Sequence, residues 1–291
     1  MLHFCGDSTT KTYEIDIKAL RREQKEKEKA KGFWGRLFHK DKNGEHKEDY
    51  EEWFERHKAD RKTLRRQRHE HFEQNPLISI VIPLYCTPTP YLKELIDSVR
   101  SQTYTNWQLC LADASDDAHT YVGELVQKHV AANPRIRYVK IENKGIAANT
   151  NAAARLAQGE YLALADHDDI LAPHAIYCMG KELQKTGADF AYSDEALFRK
   201  SPKTAHVAHF KPDYAPEYLM ACNYICHLAV FRKSLFDAIG GERPECDGAQ
   251  DHDLFLRLID AMQAKDANAA PLHIPQVLYY WRVHAASTSG G

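Results

Sequence analysis

Much of what this chain lacks removes a class of protein from consideration. No apolar run approaches the roughly 20 residues that span a bilayer, and Met1–Thr12 lacks the charged-then-apolar layout of a secretory signal. A cytoplasmic location is therefore expected. The seven cysteines are odd in number and include no C-x-x-C pair, which argues against a disulfide framework or a zinc site. The CNYICH stretch at 222–227 carries one residue too many for haem attachment, and the thiols read as small reduced hydrophobes. With 39 Lys and Arg against 41 Asp and Glu, the formal net charge is only -2, so nothing global advertises nucleic acid. There is neither a G-x-x-x-x-G-K-[ST] phosphate loop nor a G-x-G-x-x-G dinucleotide fingerprint, which excludes P-loop NTPases and Rossmann dehydrogenases.

What is present divides into a charged arm, residues 1–75, and a body, residues 76–291. Lys and Arg outnumber Asp and Glu 19 to 16 in the arm and are outnumbered 25 to 20 in the body. Residues 21–31 alternate Glu and Lys and read as a solvated helix. Residues 48–72 set Tyr50, Trp53, Phe54, His57 and Leu64 on a broken stripe, which predicts one helix docked on the body. Between them, residues 31–40 (KGFWGRLFHK) place three aromatics and a leucine among basic side chains. That composition suits packing on a neighbouring surface, or peripheral contact with the inner face of an anionic membrane. Asn75–Pro76 closes the arm, because the residue before proline is pushed out of the helical region.

From Leu77 onward, strand and helix alternate. The β-branched run at 77–83, the stretch at 107–113 that ends in Asp113, the run at 136–141 and the apolar run at 161–165 read as strands, with helices over 91–101, 120–132 and 147–157. That spacing argues an α/β fold, a mainly parallel sheet with helices on both faces. The run YLALADHDD at 161–169 ends in three carboxylates within four positions. Carboxylates so crowded repel one another, and a hard divalent cation such as Mn²⁺ or Mg²⁺ removes the conflict while leaving positions open to phosphate oxygens. An isolated run of this kind is also a solvated acidic turn. In an open α/β sheet, however, the carboxyl ends of strands are where ligands bind.

Read in order, Pro83–Leu84–Tyr85, Asp113, the stretch NKGIAAN at 143–149 and the acidic run at 166–169 resemble family 2 nucleotide-sugar glycosyltransferases of GT-A fold, Rossmann-like sheets carrying here an N-terminal helical extension. The resemblance covers about residues 77–288. FKPDY at 210–214, Asn223–Tyr224, DGAQDHDL at 247–254 and LYYWR at 278–282 are most similar to bacterial enzymes that build rhamnan or O-antigen-type polysaccharides. A sugar-nucleotide pyrophosphorylase would need a glycine-rich loop after the first strand, and 83–90 holds no glycine.

The resemblance implies a UDP- or dTDP-sugar donor, a glycan or lipid-linked hydroxyl acceptor at the cell envelope, and no nucleic-acid partner. It implies donor contacts from Pro83, Tyr85, Asp113, Asn143, Gly145, Asn149, Asp166, Gly241 and Arg282, a metal held by Asp166, Asp168 and His284, and Asp251 as the base. Several have a plainer reading: Tyr85 as a packed aromatic, Asp113 as a turn residue, Gly145 as a loop glycine, Gly241 as a helix cap, His284 as a surface histidine. Asp251 and Asp253 also read as helix-start residues favoured by the dipole. Cys86 stands where the family usually has Asn, and Gln250 where it usually has Glu. Asp169 is expected behind the ligands and His167 as a spacer. One base without a carboxylate nucleophile implies single displacement, hence inversion. From another class, the body could be a degenerate nucleotide-binding module whose arm recruits partners.

Overall fold

The computed structural model describes residues 50–284 except 206. The alternating helix expected at 21–31 and the aromatic stretch at 31–40 lie outside the described residues. The chain divides into two compact units, Met1–Arg56 and His57–Gly291. Near the first unit's end is α1 (Tyr50–His57), on which the Tyr50 ring rests 5.5 Å from Trp53.

In the second unit the helices are α2 (Arg61–His69), α3 (Thr89–Arg100), α4 (Tyr121–Ala132), α5 (Ile146–Ala154), α6 (Ala175–Thr186), α7 (Pro216–Ala221), α8 (Lys233–Ala238) and α9 (Gln250–Gln263). The strands are β1 (Ile78–Leu84), β2 (Trp107–Asp113), β3 (Ile136–Lys140), β4 (Tyr161–Leu164), β5 (Ile170–Leu171), β6 (Phe190–Phe198), β7 (Val207–His209), β8 (Ala229–Arg232) and β9 (Leu272–Arg282). The single helix expected over 48–72 is two, because Asp60 Oδ1 accepts the Thr63 N–H at 2.6 Å and starts a new helix there. Residues 67–72 lie against the sheet unit: Thr103 donates to Gln67 Oε1 at 3.0 Å, and the Phe72 ring meets Tyr104 and Tyr177 edge-on.

All strands join one sheet in the order β3-β2-β1-β4-β8-β6-β9-β5, with β7 beside β6. The first four are parallel, and β8 reverses direction against β4. Of the later pairs, β6 with β9 is parallel while β6–β8, β6–β7 and β5–β9 are antiparallel. The chain runs β1 to β2 to β3 on one side and then returns to lay β4 on the other side of β1. That reversal opens a crevice at the carboxyl ends of β1 and β4, where an open α/β sheet binds its ligand.

Pro83 marks the crevice. In β1 the N–H groups alternate between neighbours, with Ile78 donating toward β2 and Val81 facing β4. The missing N–H of Pro83 therefore points to the β4 side, where pairing has ended at Val81–Leu164, and no ladder bond is lost. On one face of the sheet, α5 and α9 contribute Ala152, Ala153, Leu254, Phe255 and Leu258 to a core that includes Val81, Leu162 and Phe231.

Candidate active site

Six stretches of the chain meet at the crevice. Val81, Pro83, Leu164, Ala165, Asp166, Ile146, Thr150, His227, Glu242, Gln250 and Asp251 line one small cavity there. The carboxylate that ends β4 and the one in the first turn of α9, 85 positions apart in sequence, thus share a wall.

The acidic turn is fixed from β9. Tyr279 accepts the Asp166 N–H at 2.9 Å and donates its O–H to Asp169 Oδ2 at 2.7 Å, while Asp169 Oδ1 accepts the Arg282 N–H at 2.6 Å. Asp169 is fully buried, and burial, then the charges of Asp166 and Asp168, push its carboxyl well above the ordinary range. It acts as a pin between two segments and does not face ligand. Asp168 Oδ2 meets His284 Nε2 at 2.6 Å, so two of the three expected metal ligands are adjacent. Asp166 turns instead to His227, Oδ2 to Nε2 at 3.2 Å. Burial works against ionisation of this pair. The attraction nonetheless holds Asp166 below the usual carboxylate range and lifts His227 to about 10. His167 reaches the Thr87 hydroxyl at 3.0 Å.

Arg282 lies beneath the turn. Its guanidinium donates to the Asp168 carbonyl at 2.7 Å and to Glu94 at 2.5 Å, between the rings of Tyr91 and Phe198. It positions the acidic turn from below, and the carboxylate it engages is Glu94.

Outside the cavity lining, Tyr85 follows β1 and is 48% exposed. Asp113, at the end of β2, accepts from the Ser115 N–H and the Tyr138 hydroxyl, both at 2.9 Å. The loop before α5 is locked by its asparagines: Asn143 Oδ1 accepts from the Gly145 N–H and from the Asn149 amide. Gly145 has φ +94°, and the anion at the amino end of α5 is a side chain of this protein, Asp247, whose Oδ1 accepts the Ala147 N–H at 3.0 Å. Gly241 is buried at φ +75°, and a Cβ there would come within 2.4 Å of Asn151 Oδ1. Asn151 holds this loop by donating to the Glu242 carbonyl and accepting the Glu242 N–H.

The two aspartates of α9 part company. Asp253 bonds Arg243, and Arg257 at 2.8 Å, whereas Asp251 lines the cavity. Burial pushes Asp251 up, and Asp166 adds to the rise against the opposing charge of His227.

Three residues of this site were not legible in the sequence. Tyr279 reads as an ordinary strand aromatic. His227 ends the stretch set aside as a failed haem motif, and the buried Glu195–Lys211 pair fixes its loop, Lys211 donating to the His227 carbonyl at 2.6 Å. Glu242 follows the glycine pair directly, is 2% exposed, and has Oε2 without a partner. Burial, then the neighbouring Asp251, lift its carboxyl to about 9.

The model of the family described as glycosyl transferase family 2 matches residues 79–240. Uncharacterized protein y4gI of Sinorhizobium fredii is 39% identical over 220 residues, 75% of this chain and 23% of that protein. O-antigen biosynthesis protein RfbC of Myxococcus xanthus is 30% identical over 247 residues, 84% of this chain and 19% of that one. The chain thus spans about a fifth of the length of these relatives. Among solved structures, S. aureus TarS 1-349 in complex with UDP-GlcNAc aligns with a TM-score of 0.57 at 16% identity, over 74% of this chain and 61% of that one, a likeness of fold.

Proposed function

We infer that this chain, which belongs to glycosyl transferase family 2 and has a GT-A fold, moves a sugar from a nucleoside-diphosphate donor to a hydroxyl of a growing surface polysaccharide or lipid-linked glycan. The observation that carries the reading is the meeting of Asp166 and Asp251 across one cavity at the topological switch point. The donor nucleoside would lie along Tyr85 and Asp113, its diphosphate at the acidic turn, and its sugar over the mouth of the cavity between Asp166 and Asp251.

Carboxylate and imidazole donors are those a hard divalent cation takes, and Asp168 and His284 already stand together; Asp166 would have to turn from His227 to join them. Asp166, Asp168 and His284 would hold Mn²⁺ or Mg²⁺, which when bound supplies neutralising charge to the departing diphosphate. Asp251 takes the proton of the acceptor hydroxyl as that oxygen attacks the anomeric carbon. Its raised carboxyl brings the base closer to working pH, which favours proton transfer in the transition state. His227 holds Asp166 in place, and Asp169 with Tyr279 holds the turn on β9. With a base and no carboxylate nucleophile, displacement occurs in one step with inversion. The polysaccharide setting is supported by the similarity to RfbC, an O-antigen biosynthesis protein.

The test is incubation with Mn²⁺ and a panel of UDP- and dTDP-sugars, following nucleoside-diphosphate release and, once an acceptor is found, the product anomer by NMR. Inverted product is expected. Retained configuration would refute the single displacement, and no metal-dependent release from any donor would refute transfer.

A further inference from the structure

Buried polar side-chain atoms almost always find partners, and the exceptions need a cause. Among the described residues, two such unpartnered atoms belong to residues of the one cavity between Asp166 and Asp251: Glu242 Oε2 and His227 Nδ1. Neither can be relieved by turning to solvent, because Glu242 is 2% and His227 6% exposed. Both are also fixed where they are. The Glu242 backbone is held at both its N–H and its carbonyl by Asn151, and the His227 imidazole is tethered to Asp166 through Nε2.

If the donor lies as inferred above, the transferred ring sits at the mouth of this cavity, whose own space of about 10 Å³ is that of one water molecule. The ring's anomeric carbon joins the diphosphate at the acidic turn and is attacked by the hydroxyl that Asp251 deprotonates. We propose that Glu242 is a specificity-determining residue for the transferred sugar, its free carboxyl oxygen hydrogen-bonding a hydroxyl or amide substituent of that ring, with His227 Nδ1 as a second contact. The inference rests on the glycosyl-transfer reading and adds the residue that selects the sugar. A neutral carboxylic acid both donates and accepts, so it matches a hydroxyl, which does the same. Burial beside Asp251 keeps the proton on Glu242. A site built around such a pairing discriminates strongly against a ring that lacks the matching group, because its buried polar atom is then left alone.

The experiment compares the whole chain with its Glu242→Gln and Glu242→Leu variants. UDP alone serves as one probe and UDP-GlcNAc, UDP-glucose, UDP-galactose and dTDP-rhamnose as the others, each with Mn²⁺, read by calorimetry and by nucleotide release without acceptor. Glu242→Leu should bind UDP as the parent does, bind the preferred sugar nucleotide on the order of 10- to 100-fold more weakly, and melt at a higher temperature because an unpaired polar group has left the interior. Glu242→Gln, which keeps a donor and an acceptor, should stay within a few-fold of the parent. The proposal is overturned if Glu242→Leu binds the sugar nucleotide undiminished, if it loses UDP to the same degree, or if it melts lower than the parent, since the last would show the carboxyl already partnered in the fold. Failure of the parent to bind UDP or release it from any donor would sink the transfer reading itself. A parent that turns over normally beside an unaffected Glu242→Leu would sink only the role of Glu242.

Discussion

Asp251 and Asp253 stand two positions apart in the first turn of α9, and what separates them is the company they keep. Against the pull of burial, hydrogen bonds from Arg243 and Arg257 hold Asp253 below the usual carboxylate range, which makes it a fixed anchor for the glycine loop. Asp251 lines the cavity and is pushed the other way. Asp251→Asn is therefore expected to lower kcat on the order of 10²–10⁴-fold with the melting temperature unchanged or raised, while Asp253→Asn should lower the melting temperature and spare most of kcat. In the parent, kcat should climb with pH through the raised Asp251 value, because only the ionised form accepts a proton, and that limb should vanish in Asp251→Asn. Glu242 gives a second, independent pH signature. The folded chain keeps its proton up to about 9, whereas the unfolded chain releases it near 4.5. Its contribution is thus fully present below the unfolded value and is lost as pH rises toward 9. The melting temperature of Glu242→Leu should exceed that of the parent by more at about pH 8 than at about pH 5. A difference that stays flat across that window would mean Glu242 is ionised in the fold.

At the scale of elements, β9 carries the site as much as β4 does. Its Tyr279 hydroxyl and Arg282 N–H grip Asp169, and the strand then delivers His284 to Asp168. Asp169→Ala would leave a buried hydroxyl and a buried N–H without acceptors, and should cost about 3 kcal/mol in denaturant unfolding together with most of the Mn²⁺ affinity. Asp247 does similar work on α5. Removing its carboxylate by Asp247→Ala takes away the acceptor at the helix start, with an expected loss of about 1 kcal/mol. The strands of the parallel half are legible to within a residue or two because β1, β2 and β4 are largely apolar runs between turns, and β3, which carries Arg137 and Lys140, falls between two helical stretches. The start of β9 is not, since LHIPQ at 272–276 interrupts the apolar pattern with histidine, proline and glutamine and becomes strand only through its parallel partner β6. The break between α1 and α2 hides behind a stripe that continues across it, and only the capping bond of Asp60 reveals it.

Across the whole molecule, Asp166 and Asp251 line one cavity at the carboxyl end of β4 although 85 positions separate them, and the order of motifs places both in one candidate site. What composition and periodicity do not carry is the mixed second half. Strands as short as β5, β7 and β8 have too few residues to display a period, and their direction is set by partners far away in sequence. His227 and Glu242 escape notice for a like reason, because the bonds that place them reach Asp166, 61 positions from His227, and Asn151, 91 positions from Glu242. Such a site should respond to ligand as a unit. Saturating UDP at about a hundred times its Kd adds about 2.7 kcal/mol to the folded state, which for a unit of this size corresponds to a rise of roughly 5–10 °C in melting temperature. If the acidic turn and the nucleoside wall share one ligand through a bridging cation, UDP with Mn²⁺ must raise the melting temperature by more than the sum of UDP alone and Mn²⁺ alone. The excess should vanish with a chelator and in Asp168→Asn, yet survive in Asp251→Asn, because the proposed base is not among the proposed metal ligands. Additive shifts would instead mean that nucleotide and cation bind without touching, and the metal assignment to Asp166, Asp168 and His284 would have to be withdrawn.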